Sequence, residues 1–160
     1  MQHFADWLAA TALSTLLKQI SWIVPTVQTI HILFVAITVS SAFFVNFRVL
    51  GLFERSQTLG AISRRFLPSV WYSICILLLT GAVLIIAEPD RALTNPGFAA
   101  KLTMLLLAVL LTIVLQRPLR QDAMYWERSA RLKTISTGIA ALSLTLWSCI
   151  VFAGRWIAYL

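Results

Sequence analysis

The sequence predicts an all-α membrane protein: a bundle of four transmembrane helices preceded by an amphipathic helix at the membrane interface. The chain has 160 residues, of which 59% are hydrophobic and 12% charged. Soluble domains carry about a quarter charged residues, so this chain has roughly half the usual share. Four apolar runs each approach the roughly 20 residues that cross a bilayer. We therefore expect one domain, 1–160, solvated by lipid.

The first element is the segment 1–19, in which apolar and polar residues alternate at helical spacing. Phe4, Trp7 and Leu16 are apolar, whereas Asp6 and Lys18 interrupt the pattern. This pattern predicts a helix lying in the plane of the outer membrane interface. The segment lacks a basic start and a small-residue cleavage site, so we expect it to remain in the mature protein.

The four spans follow at about 20–45, 66–87, 97–115 and 134–154. The connections 46–65 and 117–133 are rich in Arg and Lys, whereas 88–96 holds two acidic residues against one Arg. The positive-inside rule places the two basic connections in the cytoplasm, with both termini on the periplasmic side of a bacterial inner (plasma) membrane. The net charge is +7, and the basic residues lie mainly at the ends of the apolar runs, where they can contact anionic lipid headgroups. This distribution does not predict a nucleic-acid partner.

Ionisable side chains within the spans are the candidate functional residues, because charge in lipid is costly. His31 lies about 9 Å past Pro25 in the first span, and Lys101 lies roughly 7 Å past Pro96 in the third. Arg155 ends the fourth span on the same side of the membrane. Three helices thus contribute one such residue each to the outer layer of the bundle, which predicts a binding site there.

The chemistry that fits this layer best is heme b. An imidazole is a common axial ligand of heme iron, and helix bundles hold such cofactors between facing helices. His31 would be the metal ligand, with Lys101 and Arg155 as partners of the propionates. Lys101, as a neutral amine, or Met104 is a candidate second ligand. The implied role is electron transfer, or oxidoreductase chemistry linked to a porphyrin or a quinone.

Other readings of the same residues stay open. His31 can instead form a hydrogen bond between helices, and Lys101 and Arg155 can extend to the headgroups. The chain would then be a non-enzymatic accessory or assembly subunit of a larger membrane complex. A channel or transporter homo-oligomer is a third reading, with His31 lining a water path. The sequence has no Ser-His-Asp set, paired carboxylates, phosphate loop or zinc spacing, and the catalytic residues of any redox activity stay unknown.

Short motifs around these residues resemble known bacterial families. The matching segments are TIHILFV (29–35), FF (43–44), RVL (48–50) and FAAKL (98–102). They are similar to the first and third helices of the bacterial four-helix membrane protoporphyrinogen oxidases. That resemblance implies heme b bound through His31 and a role for Lys101 in activity.

The overall layout also resembles copper-resistance D-type membrane domains and related four-helix bacterial inner-membrane proteins. The likeness to this last group rests on the segments QTIH (28–31), RVLG (48–51) and GRWI (154–157).

Overall fold

The four predicted spans form long helices in a computed structural model, which describes residues 2–156 apart from the side chains at 90, 91, 155 and 156. The described chain is helical and contains no strand. Its helices are α1 (Gln2–Ala9), α2 (Ala12–Gln19), α3 (Ile23–Val49), α4 (Leu59–Ala87), α5 (Pro89–Leu93), α6 (Pro96–Gln121) and α7 (Ala130–Trp156). Four of them, α3, α4, α6 and α7, are long and apolar enough to cross a membrane. The predicted fold class is confirmed, and the chain is a multi-pass membrane protein.

The predicted interfacial helix is divided into two short helices, α1 and α2. Thr11 causes the division, because its hydroxyl accepts from the Ser14 amide at 3.3 Å and donates to the Leu8 carbonyl at 2.7 Å. A side chain that caps the start of one helix in this way does not continue the preceding one. The prediction of a single helix over 1–19 was therefore wrong at its middle.

The two short helices turn small residues toward the bundle and large apolar residues away from it. Helix α1 packs on α5, and α2 packs on α4. Ala5 and Ser14 are buried in these contacts, whereas Phe4 and Trp7 stay exposed. An exposed apolar face of this kind suits the lipid interface, as the sequence pattern predicted.

The helices extend beyond the apolar runs, mainly at the basic connections. Helix α4 begins at Leu59 rather than near 66, because Thr58 caps it by accepting from the Ala61 amide at 3.2 Å. Helix α6 continues past 115 to Gln121. An apolar run marks only the part of a helix that meets lipid, so it underestimates a helix that continues into the polar region.

The four long helices form an antiparallel bundle with two distinct ends. Helix α3 packs on α4 and on α7, and α6 packs on α7 and, with the smallest contact, on α4. We call the end with Ile23, Ala87, Pro96 and Gly154 the terminal end. The opposite end carries the basic segments 46–65 and 117–133, which include the connections 50–58 and 122–129, and we call it the basic end.

The buried core of the bundle lies mainly in the basic half of α3, α4 and α6, and it extends along α7 to Ile150. Val45, Ile62, Leu115 and Trp147 are among its fully buried members. Asn46 is also buried there and donates to Ser143 across α3 and α7 at 3.2 Å. In contrast, none of the residues in 23–37, 75–86 and 96–107 is fully buried. Helices α3, α4 and α6 are therefore packed less closely in the terminal half than in the basic half, whereas α7 has buried residues as far as Ile150.

Candidate functional site

His31 lies on α3 in the loosely packed terminal half, where it is bonded to the neighbouring helix. Its Nδ1 is 2.8 Å from the Oγ1 of Thr80 on α4. The Thr80 hydroxyl is itself 2.8 Å from the Ile76 carbonyl in its own helix. A hydroxyl has one proton to donate, and here the carbonyl takes it. When the carbonyl takes the hydroxyl proton, Nδ1 is the donor to Thr80 and Nε2 of a neutral imidazole is a free Lewis base.

A glycine next to Thr80 lets the imidazole lie against α4. A Cβ atom added at Gly81 would be 3.7 Å from Cε1 of His31. The ring edge between its two nitrogens thus faces a residue without a side chain. Larger side chains at this position would compete for the space beside the ring.

Lys101 lies on α6 in the same half of the bundle and is half-buried. Its Nζ is 3.5 Å from the position that a Cβ atom would take at Gly154 of α7. Within the described part of the chain, no ion pair joins Lys101 to a carboxylate.

The other two predicted site residues are not equally placed. Met104 lies one turn after Lys101 and packs against the buried core, where a thioether fills space between helices. The side chain of Arg155 lies outside the described residues. The structure thus places His31 and Lys101 in the same half of the bundle and gives Met104 a packing contact.

The donor set is limited to this one imidazole and amine. Among the described residues, no group of three or more His, Cys, Asp or Glu side chains is placed to hold a metal ion. Cys75 and Cys149 are free and exposed, although their places inside apolar runs predict burial. A site of this kind suits a cofactor that brings most of its own metal ligands.

Sequence reasoning missed Thr80, Gly81 and Gly154, although one signal for Thr80 was present. His31 lies eight residues inside the start of α3, and Thr80 lies seven residues before the end of α4. In an antiparallel pair, residues equally far from the same end face each other, so Thr80 was the polar residue at the right depth. The glycines gave no comparable signal, because their contacts depend on how the helices rotate.

The fold and this site define a four-span helical membrane protein with an imidazole and an amine between its helices. Comparisons with family models, with curated proteins and with solved structures found no match.

Proposed function

We propose that this protein binds one heme b in the terminal half of its bundle, with His31 as axial ligand. The observation that carries the proposal is the 2.8 Å contact between His31 Nδ1 and Thr80 Oγ1, which orients the ring. With Nδ1 as the donor in this bond, Nε2 is free to ligate iron. Metal-bound histidines regularly donate their second nitrogen to such a partner, which fixes both tautomer and orientation.

The residues around His31 fit a heme in two further respects. Lys101 supplies a positive charge for a propionate, and charge-assisted pairs of this kind are stronger than neutral hydrogen bonds. The facing segments of α3, α4 and α6 contain no fully buried residue, so a planar cofactor would not disrupt a close-packed core. A quinone that accepts a hydrogen bond from Lys101 is a natural electron acceptor in the same layer.

A bound heme would supply one-electron redox chemistry. The role of the chain would be to hold the ring by His31, to pair its propionates by Lys101, and to keep it within lipid-exposed helices. We infer electron transfer, or porphyrin-linked redox chemistry with quinone, as the function. We also infer that the protein lies in a bacterial inner membrane with its termini outside, since the segments 46–65 and 117–133 at the basic end carry most of the Arg and Lys.

The test is an absorption spectrum of the detergent-solubilised protein from heme-replete cells, oxidised and then reduced. We expect a Soret band and a reduced α band at about one heme per chain. His31→Ala should abolish both bands. The matched control is His3→Ala, which removes an exposed imidazole on α1 and should leave them intact. Protein absorbance alone, or an unchanged spectrum in His31→Ala, would overturn the proposal.

A second candidate function is an accessory or assembly subunit of a larger membrane complex. The same bond to Thr80 favours it, because a histidine that joins two helices has a sufficient structural role without any cofactor. This reading expects a colourless protein. His31→Ala would then weaken the pairing of α3 with α4 and leave the absorption spectrum as it was.

A further inference from the structure

A cavity of about 480 Å³ lies at the basic end of the bundle, between the end of α3 and the start of α7. Its polar lining comes from the last turn of α3, the connection that follows and the first two turns of α7. These residues are Arg48, Arg55, Glu127, Lys133, Ser136 and Thr137. Because Val49 and Ala130 end and begin their helices here, the cavity lies where the bundle leaves the membrane.

Positive charge dominates this cavity. Three cations line it against a single carboxylate, that of Glu127. Arg48 is already engaged, since its guanidinium donates to Glu127 at 2.7 Å and to the Gln57 carbonyl at 2.8 Å. Lys133 is exposed and has no ion pair within the described ranges. One of the three cations neutralises the charge of Glu127, so the cavity keeps a net charge of about +2 for a ligand.

The backbone places Arg55 beside the end of α3. Gly51 adopts a left-handed conformation with φ of 71°, which glycine tolerates without strain and which turns the chain back on itself. Arg55 Nε donates to the Gly51 carbonyl across this turn. The turn therefore holds the second guanidinium at the mouth of the cavity.

The start of α7 adds hydrogen-bond donors to the same space. The residues of α7 that line the cavity lie in its first two turns. Ser136 and Thr137 lie in these turns and donate to the Lys133 carbonyl at 2.9 and 2.8 Å. Either hydroxyl can rotate toward an acceptor in the cavity, because its present partner already accepts within the helix.

We infer that this cavity binds a phosphate group, either as the headgroup of an anionic lipid or as a free phosphate. Guanidinium, ammonium and hydroxyl donors around a net positive space are the groups that recognise phosphate oxygens. The site is separate from the heme proposal, because it lies at the opposite end of the bundle and shares no residue with it.

The experiment measures binding to the delipidated full-length protein by the shift of its thermal unfolding midpoint. The three probes are phosphatidylglycerol, phosphatidylcholine and inorganic phosphate. The variants are Arg55→Gln and Lys133→Gln. The control is Arg131→Gln, which removes an exposed charge from the first turn of α7 outside the cavity lining. Near-UV circular dichroism verifies that each variant is folded.

We expect each cavity variant to weaken phosphatidylglycerol binding by about fivefold, while Arg131→Gln leaves it unchanged. Stabilisation by inorganic phosphate would assign the site to free phosphate, and stabilisation by phosphatidylglycerol alone would assign it to a lipid headgroup. Equal stabilisation by phosphatidylcholine, an equal loss in Arg131→Gln, or no effect of any probe would overturn the inference.

Discussion

His31 and Thr80 are joined across α3 and α4 by a contact of 2.8 Å between Nδ1 and Oγ1. This contact has two consequences for the terminal half of the bundle. It links two helices in a region that lacks a close-packed core. It also determines which imidazole nitrogen faces away from the helix pair, and thus which one a ligand meets.

The first prediction concerns Thr80→Val, which keeps the shape of the side chain and removes the hydroxyl. We expect heme affinity to fall by about 10- to 100-fold, because losing the partner of a ligating histidine frees its orientation and tautomer. Titration of the apoprotein with hemin measures this. Folding should be retained, since such interhelical bonds average about 0.6 kcal/mol in membranes.

The control for this substitution is Thr145→Val on α7. Thr145 is exposed and donates only within its own helix, to the Ala141 carbonyl at 3.1 Å. The Thr145→Val variant should bind hemin with the same affinity as the unaltered protein. If Thr80→Val behaves in the same way as this control, Thr80 does not orient a ligating histidine.

The second prediction distinguishes the two roles of Lys101. If its ammonium pairs with a propionate, Lys101→Gln should keep the positions of the absorption bands and lower the midpoint potential, because a positive charge that favours the reduced heme is removed. If its amine ligates the iron, the bands themselves should move. Spectra and a redox titration measure both.

Lys18→Gln is the matched control, because Lys18 is an exposed lysine on α2. Lys18→Gln should change neither the positions of the absorption bands nor the midpoint potential. An unchanged spectrum and an unchanged potential in Lys101→Gln would exclude Lys101 from the site.

The fold was predictable because membrane-spanning helices can be recognised from their apolar composition. Each long helix needs an apolar run of sufficient length, and each run in the sequence became a helix. The ends were less predictable, since α4 starts at a cap, Thr58, and continues through Arg64 and Arg65 before it reaches apolar sequence. The division at Thr11 depends on a local side-chain bond that hydropathy does not register.

The ionisable residues of the candidate site were predictable from the sequence, whereas the residues that contact them were not. His31 and Lys101 stand out because ionisable groups are rare in apolar runs. Their neighbours Gly81 and Gly154 are ordinary residues in such runs, and they are next to the site only because of helix rotation. The cavity at the basic end was missed for a similar reason. Arg55 and Lys133 are far apart in the sequence, and each was interpreted only as one of the positive charges that set the orientation in the membrane.

The third prediction concerns two glycines with opposite surroundings. A Cβ atom at Gly60 would lie 2.5 Å from Cβ and 2.6 Å from Cα of Ala123, whereas at Gly138 it would meet nothing within 4 Å. Gly60→Ala should lower the free energy of unfolding by about 1–3 kcal/mol, because backbone must shift to admit the methyl group. Gly138→Ala should raise it by about 0.5–1 kcal/mol, because alanine is the better residue within a helix.

Reversible unfolding in detergent measures both glycine variants under one set of conditions. Gly138→Ala also serves as the control for the loss at Gly60, since the two substitutions are chemically identical. Equal stability of the two variants would contradict the close approach of α4 to the connection after α6.

The fourth prediction tests the orientation in the membrane. In a Cys75→Ser/Cys149→Ser background, cysteine is introduced at Gln19 or at Ser56, both of which are exposed. A membrane-impermeant maleimide added to intact cells should label Gln19→Cys and not Ser56→Cys. After permeabilisation both should react, which controls for accessibility. The reverse pattern would place the basic end outside.

The last prediction compares two ion pairs at the basic end that differ in exposure. Arg48 and Glu127 meet at 2.7 Å with side chains 11% and 27% exposed, whereas Arg128 is 66% exposed beside Asp122. Glu127→Gln should lower the free energy of unfolding by about 1.5–3 kcal/mol, since it leaves a shielded guanidinium with a weaker acceptor. Arg128→Gln should lower the free energy of unfolding by only about 0–1 kcal/mol, as the loss of a surface ion pair does.

The double variant Arg48→Gln/Glu127→Gln is the control for this comparison. Its loss of unfolding free energy should be smaller than the sum of the two single losses, because no charge is then left unpaired. Equal losses in Glu127→Gln and Arg128→Gln would show that the Arg48 pair does not hold α3 to the connection before α7.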